Sequence, residues 1–466
     1  MSTYDVKIWS IQEHKGKDRK TGKPRSTYRL RWVVAGRVFG DRFQTKALAE
    51  SFRSKLVTAQ REGVAFDEPT GLPEPMAREL NTRSWYDHAI AFIDMKWARA
   101  APNQRKSIAE ALASVTQALL SGSRGVPAEP DIRHALYSWS FNKTRREAGP
   151  PSADIAATVR WLSTNTVNLN ELQEASLVRK ALDTISLRID GRQAAATTIA
   201  RKRAVFYGAL RYAVELRLLP THPMDHVQWI TPKSDDEVDR RSVVNPQQAL
   251  ALLDSVHDKS PRLVAFFACL YYAALRPAEA LHLRIDDCDL PENDGWGMLR
   301  LSGSTQHVGQ GWGDDSTAFR EDRELKHRAK TAVRPVPAPP PLVRALRWHI
   351  AAHGHAPDGR LFVTQGYGNG AVSKETYARV WRAARPAALT PAQQRSPLAR
   401  RPYDLRHAAV SLWLNAGVPA TQVAEWAGHS VHVLLKVYAK CIEGQDEAAR
   451  RRIDEALKMP DDPTNE

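Results

Sequence analysis

Arg401-Pro402-Tyr403-Asp404-Leu405-Arg406-His407 opens the stretch whose reading decides the fold. It runs into an apolar helical pattern, Ala409, Val410, Leu412, Trp413 and Leu414. Asn415-Ala416-Gly417-Val418-Pro419 then turns the chain. A second helical run ends at Ala427-Gly428-His429-Ser430, and Tyr438 stands nine residues beyond the histidine. Two helices joined by a Gly-Pro turn make a helix-turn-helix over 409–428 one reading of this stretch.

Upstream, the apolar run 263–275 is too short to span a membrane and reads as a buried core helix. It ends in Leu275-Arg276-Pro277-Ala278-Glu279-Ala280-Leu281, where Pro277 starts a new helix. Capping of helix carbonyls is the ordinary job of an arginine at such a junction. Between the two regions, residues 298–301 read as a strand, followed by a Gly/Ser-rich polar stretch to about Arg323. Leu325-Lys326-His327-Arg328-Ala329-Lys330-Thr331 then closes on Arg334-Pro335-Val336-Pro337, as a lengthened β-hairpin with lysines near its tip would. Lysines in such a place are ordinarily solubilising.

Taken together these segments resemble the tyrosine recombinase (phage integrase) family. The family pattern is an arginine in a Leu-Arg-x-x-Glu setting, a hairpin lysine, a His-x-x-Arg segment, a Gly-His, and a tyrosine nine residues on. Arg276 with Glu279, Lys330, Tyr403 with Arg406, His429 and Tyr438 match it in order and spacing. Two positions depart from the pattern. Tyr403 stands where the family usually has histidine, which weakens a general-base role there but leaves a hydrogen bond to a phosphate oxygen. Lys330 has the expected threonine, strand and proline after it, with Lys326 as the alternative.

The resemblance extends toward the amino terminus. Residues 1–62 hold 15 Lys and Arg against 6 Asp and Glu, a net of +9 in a chain of net +15. Tyr28, Leu30, Trp32 and Val34 alternate with Arg29 and Arg31, so the arginines share one face of a strand. Strand-like runs at 4–11 and 37–43, a flexible basic loop from Lys15 to Arg25, and a helix capped by Thr45 complete a three-stranded sheet plus helix. Leu48, Phe52 and Leu56 are the expected apolar stripe of that helix. A sheet with an arginine face can read a DNA groove; a solvated face is the plainer reading. Residues 80–225 are helical throughout, with basic clusters Arg105-Lys106 and Arg201-Lys202-Arg203 that suit phosphates or solvent.

The expected architecture is therefore multidomain and mainly α. It comprises a small α+β arm-type DNA-binding domain (1–65), a linker (66–79), and an all-α core-binding domain (80–225). A second linker (226–243) leads to a mixed, mainly-α catalytic domain with a small antiparallel sheet (244–442) and a tail (443–466) with an amphipathic pattern. Asn245-Pro246-Gln247-Gln248 signals the start of the catalytic part as a capping box with proline at the first helical position. Three cysteines, Cys269, Cys288 and Cys441, make neither a disulfide framework nor a metal cluster. With no charged-then-apolar leader, the expectation is a cytoplasmic, nucleoid-associated protein without a membrane partner.

The chemistry fits these residues. Rejoining DNA without loss of bond energy needs a covalent phosphoryl-enzyme, for which Tyr438 is the nucleophile. Its phenol must lose a proton during attack, with His429 or a neighbouring group assisting. Arg276 and Arg406 can fork onto the non-bridging oxygens as charge builds there, and His429 can add a donor. Lys330 would protonate the leaving 5′ oxygen, and no cofactor or metal is needed. The resemblance further implies a homotetramer on two double-stranded DNA sites of arm and core type, with host DNA-bending and directionality factors. A type IB topoisomerase would share the chemistry. A non-catalytic DNA-binding regulator would keep the basic faces but has no use for Tyr438.

Overall fold

The computed structural model describes residues 2–17, 24–80, 83–230, 232, 237–315, 317–325, 329, 331–364, 370, 372–438, 441, 450–451, 453–454 and 457. The fold is mainly helical with small antiparallel sheets, and the chain divides into two units, Met1–Ser234 and Asp235–Glu466. Among the described residues no helix is long and apolar enough to cross a membrane.

In the first unit the alternating segment forms the strand Pro24–Val34, with Leu30, Trp32 and Val34 buried beneath it. Arg37–Phe43 pairs along one edge. The other edge is shared by two short strands: Val6–Ile8 opposite Trp32 to Val34, and Gln12–Lys17 opposite Pro24 to Arg29. The sheet thus has four strands where three were expected, and the basic run from Lys15 is strand at its start. The break has a packing reason. Ile8 and Ile11 both pack on the core although they are three apart. Strict alternation would put them on opposite faces, so the strand must interrupt itself between them.

Thr45 caps the helix Lys46–Arg61 by accepting from the Leu48 backbone N–H at 3.3 Å. Its inward face is Ala49, Phe52 and Leu56, whereas Leu48 is 55% exposed, contrary to the expected stripe. At 100° per residue, positions i, i+3 and i+7 stay together better than i, i+4 and i+8. The proline-rich stretch after it is packed rather than loose. Leu72 and Ala77 join the sheet's core, and the Trp32 indole donates to the Gly71 carbonyl. Gly71 has φ +71°, and a Cβ there would lie 2.4 Å from the Phe39 ring, so only glycine serves.

Helices Trp85–Trp97, Pro102–Ala118, Ala175–Ile185 and Ala196–Glu215 are the main elements of the rest of this unit. Trp85, Leu112, Leu182 and Phe206 lie among its buried residues.

The second unit begins with the expected capping box. Asn245 accepts from Gln248 N–H at 2.9 Å and donates its own N–H to the Gln248 side chain at 3.0 Å. The helix Pro246–Lys259 follows. The apolar run becomes Val264–Tyr272, whose residues 265–271 are all buried. Gly297–Leu301 pairs with Arg334–Ala338 as the expected hairpin, and a further ribbon, Gly303–His307 with Arg320–Glu324, lengthens it. Asp404–Asn415, Ala420–Ala427 and Val431–Tyr438 close the unit as three helices. Most of the tail after 441 lies outside the described residues.

Candidate active site

Five of the residues singled out from the sequence meet in the second unit. Arg276 caps the helix Pro277–His282, and its backbone N–H donates to Glu279 at 2.8 Å. Its guanidinium donates to Glu279 Oε1 at 2.8 Å and to the Gly428 carbonyl at 2.8 Å. Arg406, on the helix Asp404–Asn415, is fully buried. It donates to the Ala274 carbonyl, to the Ala427 carbonyl at 2.5 Å, and to His429 Nε2 at 3.0 Å. Two helix ends therefore supply the carbonyls that orient it, as befits a cation at a helix C-terminus.

Gly428 is the pivot. It ends the helix Ala420–Ala427 in the left-handed conformation, φ +64°. A Cβ there would stand 2.2 Å from Arg334 Nη1 and 3.3 Å from Arg276 Nη1, so glycine admits the arginines. The next residue, His429, accepts from Arg406 through Nε2, which places its own ring proton on Nδ1. Burial, then the charges of Arg406 and Arg276, pull its pKa down to about 3, so the ring is neutral. Arg334 Nε, Arg406 Nε and His429 Nδ1 are buried donors with no partner among the described residues. An anion entering this cluster meets cations and donors already in place, at little reorganisation cost.

Tyr438 ends the helix Val431–Tyr438 and is only 1% exposed. Burial pushes its phenol well above the ordinary value, against the pull of Arg406. The Tyr438 ring lies 6.1 Å from the His429 ring. Tyr403 lies at the N-cap of the Arg406 helix, its ring edge-on to His407 at 5.1 Å and 6.0 Å from the Arg406 guanidinium carbon.

Two participants were not found from the sequence. His407 Nδ1 lies 2.9 Å from the Tyr438 hydroxyl. The available signal was its place four residues after Tyr403, one helical turn on. Arg334 is buried and doubly bonded to buried Glu279, at 3.0 and 2.8 Å. Its signal was alternation: Arg334 shares the inward face of its strand with Val336 and Ala338, where a charge must be paired. Burial would raise the Glu279 carboxyl, but Arg334 first, then Arg276 and Arg406, bring it down to about 2.

Lys330 and Lys326 both lie outside the described residues. Among the sequence-proposed DNA contacts, two need correction. Arg105 is 4% exposed, lies over the Trp97 ring at 4.9 Å and donates to the Trp97 carbonyl at 3.0 Å. Lys202 is 9% exposed and donates to Ser114 at 3.0 Å, with Glu110 at 3.8 Å. Both serve the interior of their helices, because a long stem packs there while its head finds internal acceptors. Arg201 also pairs with Glu110, at 3.0 Å, while Lys106 and Arg203 are half-buried. Arg29 and Arg31 share one face of the amino-terminal strand and are half-buried, with exposed Arg42 directly opposite Arg29. Arg31 lies over the Trp9 ring at 5.0 Å.

Residues 242–442 match the phage integrase family model. This part of the chain belongs to the phage integrase family. It is a DNA-breaking-and-rejoining enzyme domain, and the whole cluster just described falls inside it. No curated protein matches the chain. Solved structures similar to this chain include the Tn1549 transposon integrase in complex with transposon right end DNA, at 17% identity. That match covers 61% of this chain and 85% of the other, with a TM-score of 0.45. The XerH site-specific recombinase bound to difH substrate matches at 14%, covering 76% and 96%, TM-score 0.40. Lambda integrase residues 75–356 bound to DNA match at 14%, covering 62% and 85%, TM-score 0.36.

Proposed function

We propose that the protein is a site-specific DNA recombinase that integrates or excises a mobile element or prophage through a 3′-phosphotyrosyl intermediate. The observation that carries this reading is the convergence of Arg276, Arg406 and His429 around Gly428, beside the buried phenol of Tyr438. The two guanidiniums would hold the non-bridging oxygens of the scissile phosphate, where negative charge grows in the transition state. His429 Nδ1–H would add a third donor. Tyr438 would attack phosphorus, and Lys330 would give a proton to the departing 5′ oxygen. Tyr403 would brace Arg406 and His407 in the place where the family usually has a histidine.

Four protomers would act on two DNA sites, assisted by host bending and directionality factors. The sheet face with Arg29 and Arg31 would hold arm-type DNA, and the helical segment 80–225 would clamp the core site. Linking the two modules raises the effective concentration at the second site.

The test is a library of nicked duplexes with randomised cores, from which protein-linked DNA is isolated under denaturing conditions. Wild type should yield covalent adducts at a defined sequence, and Tyr438→Phe none. Adducts that persist in Tyr438→Phe overturn the nucleophile assignment. Adducts without joining of two recovered sites would point to a topoisomerase-like enzyme instead.

A further inference from the structure

The attack of Tyr438 requires a group to take its proton, and the family's usual histidine is absent at position 403. His429 is badly placed to replace it. Its Nε2 already accepts from Arg406 at 3.0 Å, and its other nitrogen carries the ring proton. The atom that does touch the phenol is His407 Nδ1, at 2.9 Å. We infer that His407 is the proton acceptor for Tyr438, a catalytic residue that takes the place left open by Tyr403. This inference rests on the recombinase reading above.

Three features support it. The first is spacing: Tyr403 and His407 are one turn apart and in ring contact at 5.1 Å, so His407 faces the same side of the site. The second is protonation. A buried phenol is the better donor to a neutral imidazole, so Tyr438 O–H points at the Nδ1 lone pair, with the ring proton on Nε2. Burial, then Arg406 and Arg401, bring the His407 pKa down to about 4, which keeps that lone pair free at neutral pH. A bound phosphate dianion-like transition state would offset the Arg406 charge and raise the proton affinity as the proton moves. The third is a polar space beside the ring. His407 also lines a cavity of about 540 Å³ with Asp239, Asp404, Arg400 and Arg401.

The step balances. The Tyr438 O–H bond breaks and its proton goes to His407 Nδ1. The phenolate forms the O–P bond, the P–O5′ bond breaks, and the 5′ oxygen takes a proton from the acid, Lys330 in this reading. On rejoining, the 5′ hydroxyl gives its proton back to the deprotonated Lys330 as its oxygen bonds phosphorus, the O–P bond to Tyr438 breaks, and His407 returns its proton to the departing Tyr438 oxygen.

The experiment uses the full chain and nicked duplexes of the sequence recovered by wild-type trapping. It compares ordinary DNA with DNA carrying a 5′-bridging phosphorothiolate, whose sulfur leaves without protonation. His407→Asn keeps an acceptor oxygen near the Nδ1 position but cannot take a proton. It should melt and bind DNA as wild type does. It should form adduct about 10²–10⁴-fold more slowly on both substrates. Lys330→Ala should be slow on ordinary DNA and recover on the phosphorothiolate. Near-wild-type rates in His407→Asn overturn the inference, and so does rescue of that variant by the phosphorothiolate, which would make it part of the acid. His407→Ala that cleaves faster than wild type would make the bond a resting-state latch and overturn it as well. A wild type that forms no adduct removes the recombinase reading, and this one with it.

Discussion

Arg42, exposed, and Arg29 and Arg31, half-buried, share one sheet face in the first unit, while buried Arg334 and Arg406 with half-buried Arg276 cluster in the second, and different forces hold the two sets. On the sheet, water screens exposed Arg42, alternation decides which face each side chain takes, and half-buried Arg31 also leans on the Trp9 ring. In the interior, each guanidinium loses hydration worth several kcal/mol and must recover it from fixed partners. Those partners are Glu279, the Gly428 and Ala427 carbonyls and His429. Bulk positive charge can gather DNA; only the second arrangement can fix a guanidinium against a particular phosphate oxygen.

The largest effects should follow from disturbing that orientation. Arg406→Lys keeps the charge but loses the fork, so adduct formation on trapped-site DNA should fall by about 10²–10³-fold while DNA affinity changes little. Gly428→Ala should fall by a smaller factor of about 10–100, because its Cβ displaces Arg334 and crowds Arg276 without removing either. Equal rates in Gly428→Ala and wild type would show that the arginine cluster tolerates slack, and the contrast with the sheet would lose its basis.

The Glu279–Arg334 pair should appear in stability rather than rate alone. Arg334→Met leaves the buried carboxylate with less compensation and should cost about 3 kcal/mol in urea unfolding. The Glu279 pKa is lowered from 4.5 to about 2, so its stabilisation is complete above about pH 4.5 and is lost as pH falls toward 2. Glu279→Gln should therefore flatten the acid limb of the stability profile. An acid limb as steep as that of wild type would place the titrating group elsewhere.

How far the sequence carries depends on whether a feature is local. The capping box at Asn245, the alternating strand and the apolar helix are read directly, because each is set by neighbours within a few positions. The clustering of Arg276, Arg406, His429 and Tyr438 was legible only through the family's spacing. The broken edge strand was missed because the Ile8 and Ile11 spacing matters only once a core exists. His407 was read as part of a motif without a task, since its contact with Tyr438 joins two helices 31 residues apart. Arg105 and Lys202 mislead for the opposite reason: a basic cluster in sequence carries no sign of the Trp97 carbonyl, Ser114 or Glu110 waiting for it. Arg105→Ala should therefore cost about 1–3 kcal/mol of stability with an unchanged salt dependence of DNA binding. A shallower salt dependence with full stability would restore it as a phosphate contact.

The smallest effect is also the most diagnostic of the sheet. Arg29 and Arg42 are directly opposite in the ladder, and like charges there are mutually destabilising by about 0.2–1 kcal/mol. A solvated face gains nothing from that arrangement, whereas a polyanion laid across it relieves the repulsion and uses both charges. Arg42→Ala should therefore stabilise the free protein by a few tenths of a kcal/mol. It should also reduce the slope of log K against log salt for arm-DNA binding by about one unit, with little change in sequence preference. The opposite signs are what distinguish the readings. If Arg42→Ala raises stability and leaves the salt slope untouched, the face is solvent-exposed charge with no nucleic acid to meet, and the sheet arginines of the first unit have no share in the function of the buried ones.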